Sequence, residues 1–179
     1  MTATRIQSLG GQLVRPDMCA FSVYLDGPQS SMTGKNYGSG NNVVPYSSYG
    51  TKLYDHGGDY NLSTNTFTAP VAGLYHFSYK LRIESVASNE FTITGLMNPG
   101  YTGNGGANNE HSGRTTSDIV YALTYVINDG STIDYHTVNH SLVLKLSQGE
   151  QIQQWVRVQS DTSVNLSDRG CQFSGYFVG

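Results

Sequence analysis

The chain has 179 residues, of which 37% are hydrophobic and 13% charged, and its formal net charge is -3. This length suits one β-rich domain with a single core. The small negative charge provides no cationic field to hold a phosphate backbone, so nucleic-acid binding is not expected. No apolar stretch approaches the roughly 20 residues that span a bilayer, so membrane insertion is not expected either.

The first elements along the chain are a tail and a strand. Residues 1–18 carry scattered apolar positions without the apolar region of a secretory signal, and we interpret them as an N-terminal tail or attachment segment. The sequence AFSVYLD then alternates, with Phe21, Val23 and Leu25 on one side, which predicts a half-buried strand. Residues 28–42 are rich in Gly, Ser and Asn and predict a surface loop.

Short β-rich segments follow one another through the rest of the chain. Five are predicted as strands: VVPYSSY, TKLYDHG, NTFTAPV, GLYHFSYKLRIES and NEFTITGL. Residues 97–118 predict a long polar loop, and a turn signal at 128–130 predicts a hairpin in which Gly130 adopts a positive φ. Two more strands, the last in CQFSGYFV, complete the chain, and no window has a helical period. The pattern indicates an all-β fold.

Candidate chemistry is sparse. No nucleophile, base and orienting group can be assembled, so we expect that the protein is not an enzyme. Asp55 and Asp59, in DHGGDYN, are weak calcium candidates, for which a solvated turn is the favoured interpretation. His136 and His140 lack the Glu and the helix of an HExxH site, so packed or exposed histidines are favoured over metal ligands. We expect no cofactor.

The segment from Tyr49 to Tyr79 carries a long pattern of aromatic, acidic and glycine residues. Its positions are Tyr49, Asp55, Tyr60, Phe67, Gly73, Tyr75, Phe77 and Tyr79. This segment resembles the signature of the globular head domain of complement C1q and its tumour-necrosis-factor-like relatives, which usually have Phe where Tyr49 stands. AFSVYLD, SLVLKLSQGEQI and FSGYFV resemble further strands of that family, so the resemblance covers residues 19–179.

The resemblance implies a two-sheet jelly-roll sandwich over 19–179 that associates as a homotrimer around a threefold axis through aromatic-rich faces. It assigns packing in the core or the trimer to Phe21, Tyr49, Tyr60, Phe67, Gly73, Tyr75, Phe77, Tyr79, Phe173, Gly175 and Tyr176. Some relatives hold calcium near the apex of the trimer, which is why Asp55 and Asp59 stay as weak candidates.

The chain has two cysteines, Cys19 and Cys171. They precede the first and last strands, which this family places side by side and antiparallel. The two residues would then lie at opposite ends of the strand pair, beyond the roughly 7 Å between Cα atoms that a disulfide tolerates. We therefore predict two unpaired thiols.

Two functional hypotheses follow from the resemblance. The first is a virion structural protein at the virion surface, such as a phage fibre head, knob or capsid decoration, whose partners are other virion proteins or a host-surface receptor or glycan. It is favoured by the low charge, the Gly, Asn, Ser and Thr content, and a sequence without a collagen-like tract or export signal. The alternative is a secreted, extracellular C1q-like ligand-binding or lectin-like protein. In either, loops 28–42 and 98–117 are the expected contact surfaces.

Overall fold

A computed structural model describes residues 7–9, 12–14, 19–32, 43–44, 46, 50–99, 120–128, 130–158, 163–168 and 170–179. The strands in these residues are β1 (Gln7–Leu9), β2 (Gln12–Val14), β3 (Ala20–Leu25), β4 (Gln29–Met32), β5 (Gly50–His56), β6 (Tyr60–Asn61), β7 (Thr66–Thr68), β8 (Gly73–Val86), β9 (Glu90–Met97), β10 (Val120–Asn128), β11 (Ile133–Leu146), β12 (Gln151–Val158), β13 (Val164–Leu166) and β14 (Gln172–Phe177). No helix in the described part of the chain is long and apolar enough to cross a membrane.

The strands build two antiparallel sheets that pack face to face. The large sheet has seven strands in the order β4-β13-β8-β14-β3-β5, with β11 on the other edge of β8. The small sheet has five, in the order β10-β9-β12-β7-β6, and β1 and β2 pair with each other. Because neighbours such as β3 and β14 come from opposite ends of the chain, the sandwich is closed by long-range pairing. The predicted all-β, two-sheet jelly-roll sandwich is confirmed.

Strand β8 shows why these residues form a sandwich. Its odd-numbered side chains from Tyr75 to Ile83 are buried, whereas the even-numbered side chains between them are half-buried or exposed. A strand alternates its side chains between two faces, so this pattern buries one face against the small sheet and leaves the other outside. β11 pairs with β8 along its whole length, from Leu146 opposite Gly73 to Ile133 opposite Val86.

Aromatic rings from four strands fill the centre of the core. The ring of Phe21 stacks on Tyr60 at 4.8 Å and on Phe67 at 5.1 Å between centroids. It meets Phe173 edge-on at 5.0 Å. Offset stacks and edge-to-face contacts in this distance range add to the energy of burying the rings. β3, β6, β7 and β14 are thereby joined at one point.

Two glycines make room for these rings. A Cβ at Gly175 would lie 2.6 Å from Cδ1 of Phe77 and 2.8 Å from Cε1 of Phe21, closer than side chains tolerate. A Cβ at Gly73, the first residue of β8, would fall on the ring of Phe177. Glycine is therefore required at both positions for close approach of aromatic side chains to the backbone.

A second hydrophobic cluster lies on the side of the small sheet that faces away from the core. Ile93, Met97 and Trp155 are fully buried there, with Val43 and Phe91 packed against them. The predicted strand VVPYSSY is not formed in its described residues, where Val43 makes only an isolated bridge to Trp155.

The chain leaves the small sheet after this bridge because Tyr46 enters the core. The Val44 N–H donates to the Gln154 carbonyl at 2.9 Å, and Tyr46 Oη donates to Gln154 Oε1 at 2.6 Å. Burial of the Tyr46 ring pulls this segment inward instead of along the sheet.

The predicted hairpin at 128–130 is wrong in its pairing. β10 pairs with β9 in the small sheet, whereas β11 pairs with β8 in the large sheet, so the turn crosses between sheets. The Asn128 amide donates to the carbonyls of Val86, Ala87 and Ser131 and ties together the two turns at this end of the sandwich.

Candidate binding face on the large sheet

The side of the large sheet that points away from the core is here named the outer face. Its members are Tyr54 and His56 on β5, Ala20, Ser22 and Tyr24 on β3, Gln172, Ser174 and Tyr176 on β14, Leu74, His76, Ser78, Lys80, Arg82 and Glu84 on β8, and Tyr135, Thr137, Asn139, Ser141, Val143 and Lys145 on β11. They alternate along their strands with the residues that face the small sheet, so strand geometry places them on one surface.

One transverse row of this surface contains both outer-face histidines. The register aligns His56, Ala20, Tyr176, His76 and Val143 across five neighbouring strands. The rings of His76 and Tyr176 lie 4.9 Å apart, and His76 Nε2 lies 2.7 Å from Ser141 Oγ. This set of five residues is called the histidine row below.

The next row consists of small side chains. Ser22, Ser174, Ser78 and Ser141 lie side by side on β3, β14, β8 and β11, with Tyr54 beside Ser22 at the edge. Beyond them is an open depression of about 270 Å³ whose lining includes Lys80, Asn139 and Gln172. The large side chains of the histidine row therefore project farther from the sheet than the neighbouring row of serines, which is polar.

Exposed apolar side chains concentrate on the outer face. Eight large hydrophobic side chains in the described residues are exposed, and five of them belong to this face: Tyr54, Leu74, Tyr135, Val143 and Tyr176. Val143 and Tyr176 are 54% and 46% exposed and flank His76 on its two neighbouring strands. Contiguous exposed apolar surface of this kind marks interaction sites more often than isolated exposed residues do.

The charges of the outer face are mostly positive although the whole chain is acidic. Its charged members are Lys80, Arg82, Lys145 and Glu84, while the formal net charge of the chain is -3. Glu84 Oε1 lies 3.8 Å from Arg82 Nε, and the Arg82 guanidinium lies 4.2 Å from the centre of the Tyr135 ring. The carboxylate and the arginine are thus grouped at the far end of β8, away from His76.

The residues predicted to pack the core or the trimer separate into two groups. Those buried within one chain are Phe21, Tyr60, Phe67, Tyr75, Phe77, Tyr79, Phe173 and Gly175, and Gly73 is half-buried at the start of β8. Tyr176 belongs to the outer face and is exposed, while Tyr49 lies outside the described residues, as do 33–42 and 100–117 of the two predicted contact loops.

Sequence reasoning did not identify most of the outer face. Leu74 and His76 alternate with buried positions of β8, and Val143 lies between the partly buried Leu142 and Leu144. This alternation indicates an outward face, whereas the family pattern contains the core-facing positions of β8.

Asp55, one of the two calcium candidates, is held by the chain itself. Its Oδ1 accepts hydrogen bonds from the N–H groups of Asp59 and Tyr60 at 3.1 and 3.4 Å. Its Oδ2 lies 2.8 Å from Lys52 Nζ. Burial, together with the negative charge of Asp55, raises the pKa of Asp59, and the hydrogen bond with the Cys19 thiol opposes that shift. Asp55 therefore closes the turn between β5 and β6.

Replacing Asp55 with alanine is expected to lower the free energy of unfolding by about 1–3 kcal/mol, because two N–H groups and a lysine lose their acceptor. Urea unfolding would measure the loss, with Asp134→Ala as an exposed acidic control that changes stability by less than about 0.5 kcal/mol. We expect added calcium and EDTA to leave both differences unchanged. If EDTA lowered the stability of the wild type but not that of the Asp55→Ala variant, Asp55 would instead belong to a metal site.

The two thiols lie at opposite ends of the β3–β14 pair, as predicted. The Cys19 carbonyl accepts from the Phe177 N–H, and the Cys171 carbonyl accepts from the Leu25 N–H. Both cysteines are buried and unpaired. Burial raises the pKa of Cys171 to about 11 and also raises the pKa of Cys19. Both are therefore protonated near neutral pH, and protonated thiols are poor nucleophiles.

The two histidines of β11 that the sequence singled out have packing neighbours. The His140 ring stacks on Tyr79 at 5.8 Å, and His136 lies opposite Ile83. Across the described ranges, no group of three or more His, Cys, Asp and Glu side chains is placed to hold a metal ion.

Comparison with known proteins identifies the family. The model of the C1q domain matches residues 20–178, which is most of the chain. The chain belongs to the C1q domain family. A search of curated proteins returns no match.

Solved structures share the fold at low sequence identity. The globular domain of zebrafish complement 1qA has 19% identity and a TM-score of 0.53, over 90% of this chain and 98% of that chain. Murine APRIL at pH 8.5 has 10% identity and a TM-score of 0.54, over 90% and 99%. Eiger TNF from S. frugiperda has 10% identity and a TM-score of 0.57, over 91% and 94%. The chain therefore shares its fold with solved structures of a C1q globular domain and of a tumour necrosis factor.

Proposed function

We propose that this C1q-domain protein is a non-enzymatic binding module that assembles as a homotrimer through the outer face of the large sheet. The observation that carries the proposal is the concentration of exposed apolar side chains there, five of the eight in the described residues. A solvated sheet face normally presents polar side chains. No described segment of the chain covers this apolar face, so it is suited to contact with another copy.

The composition of the outer face supports an interface. Tyr176, Val143 and Leu74 supply large side chains around His76, and tyrosine is enriched where protein surfaces meet because the ring packs while the hydroxyl keeps a polar partner. The serine row beside them admits close approach of a second backbone. Lys80 and Arg82 lie farther along β8, where a polar rim is expected.

We further propose that the trimer serves at the virion surface as a fibre head, knob or capsid decoration that contacts other virion proteins or a host-surface receptor or glycan. The low charged fraction of 13% and the 21 glycines support a compact adhesive module rich in polar turns. Electron microscopy of purified particles with an antibody to this chain tests this assignment. Labelled particles would support it. If the particles carried no label and the secreted protein bound selectively on a glycan array, the extracellular ligand-binding alternative would be favoured.

The assembly itself is tested by the solution mass of the full chain. Light scattering is expected to give three times 19.5 kDa, both with and without EDTA, because Asp55 is already engaged by Lys52. A mass that falls to one protomer only in EDTA would show that calcium holds the trimer together. A single protomer in both buffers would contradict the proposed assembly.

A further inference from the structure

His76 lies at the centre of the exposed apolar surface. Val143 is opposite it on β11, Tyr176 is opposite it on β14, and Leu74 precedes it by two positions on β8. The imidazole is half-buried, its ring contacts that of Tyr176, and its Nε2 lies 2.7 Å from Ser141 Oγ. Any partner that covers Val143 and Tyr176 must therefore also cover this imidazole.

Among the described side chains of the outer face, those nearest His76 are positive or neutral. β8 contributes Lys80 and β11 contributes Lys145, which follows Val143 by two positions. β14 contributes the Tyr176 hydroxyl, β3 contributes Ala20, and β5 contributes His56 at the other end of the histidine row. At the start of β8, an oxygen of Gly179 accepts a hydrogen bond from the Leu74 N–H at 2.7 Å.

Glu84, the carboxylate side chain on the outer face, lies four rows along β8 from His76 and beside Arg82. A positive charge at His76 would thus be the third, after Lys145 one row away and Lys80 two rows away.

We propose that His76 makes the association of this protein with its own copies depend on pH, with strong association when the imidazole is neutral and weak association when it is protonated. The inference rests on the proposed assembly through the outer face. Histidine is the side chain whose charge changes between about pH 5 and 8. Covering the imidazole excludes water, and a desolvated imidazolium one row from Lys145 is unfavourable.

The direction follows from the linkage between protonation and assembly. The separated protomer binds a proton at His76 more readily than the assembled form, so lowering the pH favours the separated protomer. Association is strongest above the range in which the imidazole titrates and weakens as the pH falls through it.

The experiment is sedimentation equilibrium of the full chain between about pH 8 and about pH 5, the range that spans histidine titration. The concentration at which half of the wild-type protein is dissociated should rise by about tenfold or more over this range. His76→Gln and His76→Phe both remove the titrating group, and both should show little change with pH. His136→Gln, on β11 but on its other face, is the matched control and should behave as wild type. Far-UV circular dichroism of every variant at both pH values verifies the fold.

The outcomes are distinct. The role of His76 would be overturned if the wild type associated equally strongly at both pH values. It would also be overturned if the His76 variants kept the wild-type pH dependence. Either result would leave the proposed assembly intact. A protomer that does not associate at either pH would contradict the proposed assembly and this inference together. Unfolding at the lower pH in wild type but not in the His76 variants would mean that His76 acts on folding, and it would overturn the inference as stated.

Discussion

Replacing Phe21 with alanine is expected to lower the free energy of unfolding by about 3–5 kcal/mol, the range found for truncating a fully buried aromatic side chain. The ring is buried completely and contacts Tyr60, Phe67 and Phe173 at centroid distances of 4.8, 5.1 and 5.0 Å. Its removal opens a cavity at the point where four strands meet. Because those strands belong to both sheets, the loss acts on the whole sandwich.

Urea unfolding followed by tryptophan fluorescence measures this loss, since Trp155 is fully buried. Leu53→Ala is the matched control, because Leu53 is 58% exposed on the neighbouring strand β5 and its truncation is expected to cost less than about 0.5 kcal/mol. Equal stability of the two variants would mean that the aromatic cluster is not the centre of the core.

Replacing Val143 with lysine is expected to convert the proposed trimer to protomers at concentrations where the wild type is fully assembled. Val143 is 54% exposed in the separated chain and lies between His76 and Lys145 on the outer face. Burying a third ammonium group near Lys80 and Lys145 combines desolvation with like-charge repulsion. Penalties of several kcal/mol are usual for unpaired buried charges, so we expect association to weaken by more than about a hundredfold.

Light scattering and circular dichroism measure this effect and separate it from unfolding. Val71→Lys is the matched control: Val71 is 44% exposed in the turn before β8 and is not part of the outer face, so the mass should stay at three times 19.5 kDa. If Val143→Lys keeps the wild-type mass and stability, the copies associate through a different surface.

The sequence predicted most strands because alternation and turn residues are local signals. In GLYHFSYKLRIES the period of two gives the buried positions of β8 from Tyr75 to Ile83. In AFSVYLD it gives Phe21, Val23 and Leu25, although Ser22 between them is buried as well. The eight-position pattern from Tyr49 to Tyr79 identified the family because its aromatic residues and Gly73 serve packing, and packing constrains residue type and spacing together.

Two local predictions failed because tertiary contacts overrode local signals. The turn at 128–130 has the composition of a hairpin, yet Asn128 bonds to the carbonyls of Val86 and Ala87, and its two flanking strands enter different sheets. VVPYSSY has the residues of a strand, yet its described residues form none, and Tyr46 is buried in the core and bonds to Gln154, 108 positions away. Neither partner is visible within a sequence window.

The sequence by itself determined the fold class, the family and most of the aromatic residues in the core, because alternation and spacing are properties of consecutive residues. It did not separate core packing from trimer packing, and it did not identify the buried Tyr46. Only the tertiary structure decided that the described aromatics of the family pattern, from Tyr60 to Tyr79, are buried inside one chain. It alone also decided that His76, Tyr176 and Val143 share one exposed surface. These three residues come from strands separated by up to 100 positions. They become neighbours only when β8 pairs with β11 on one side and β14 on the other, and that register is set by burial of the opposite face.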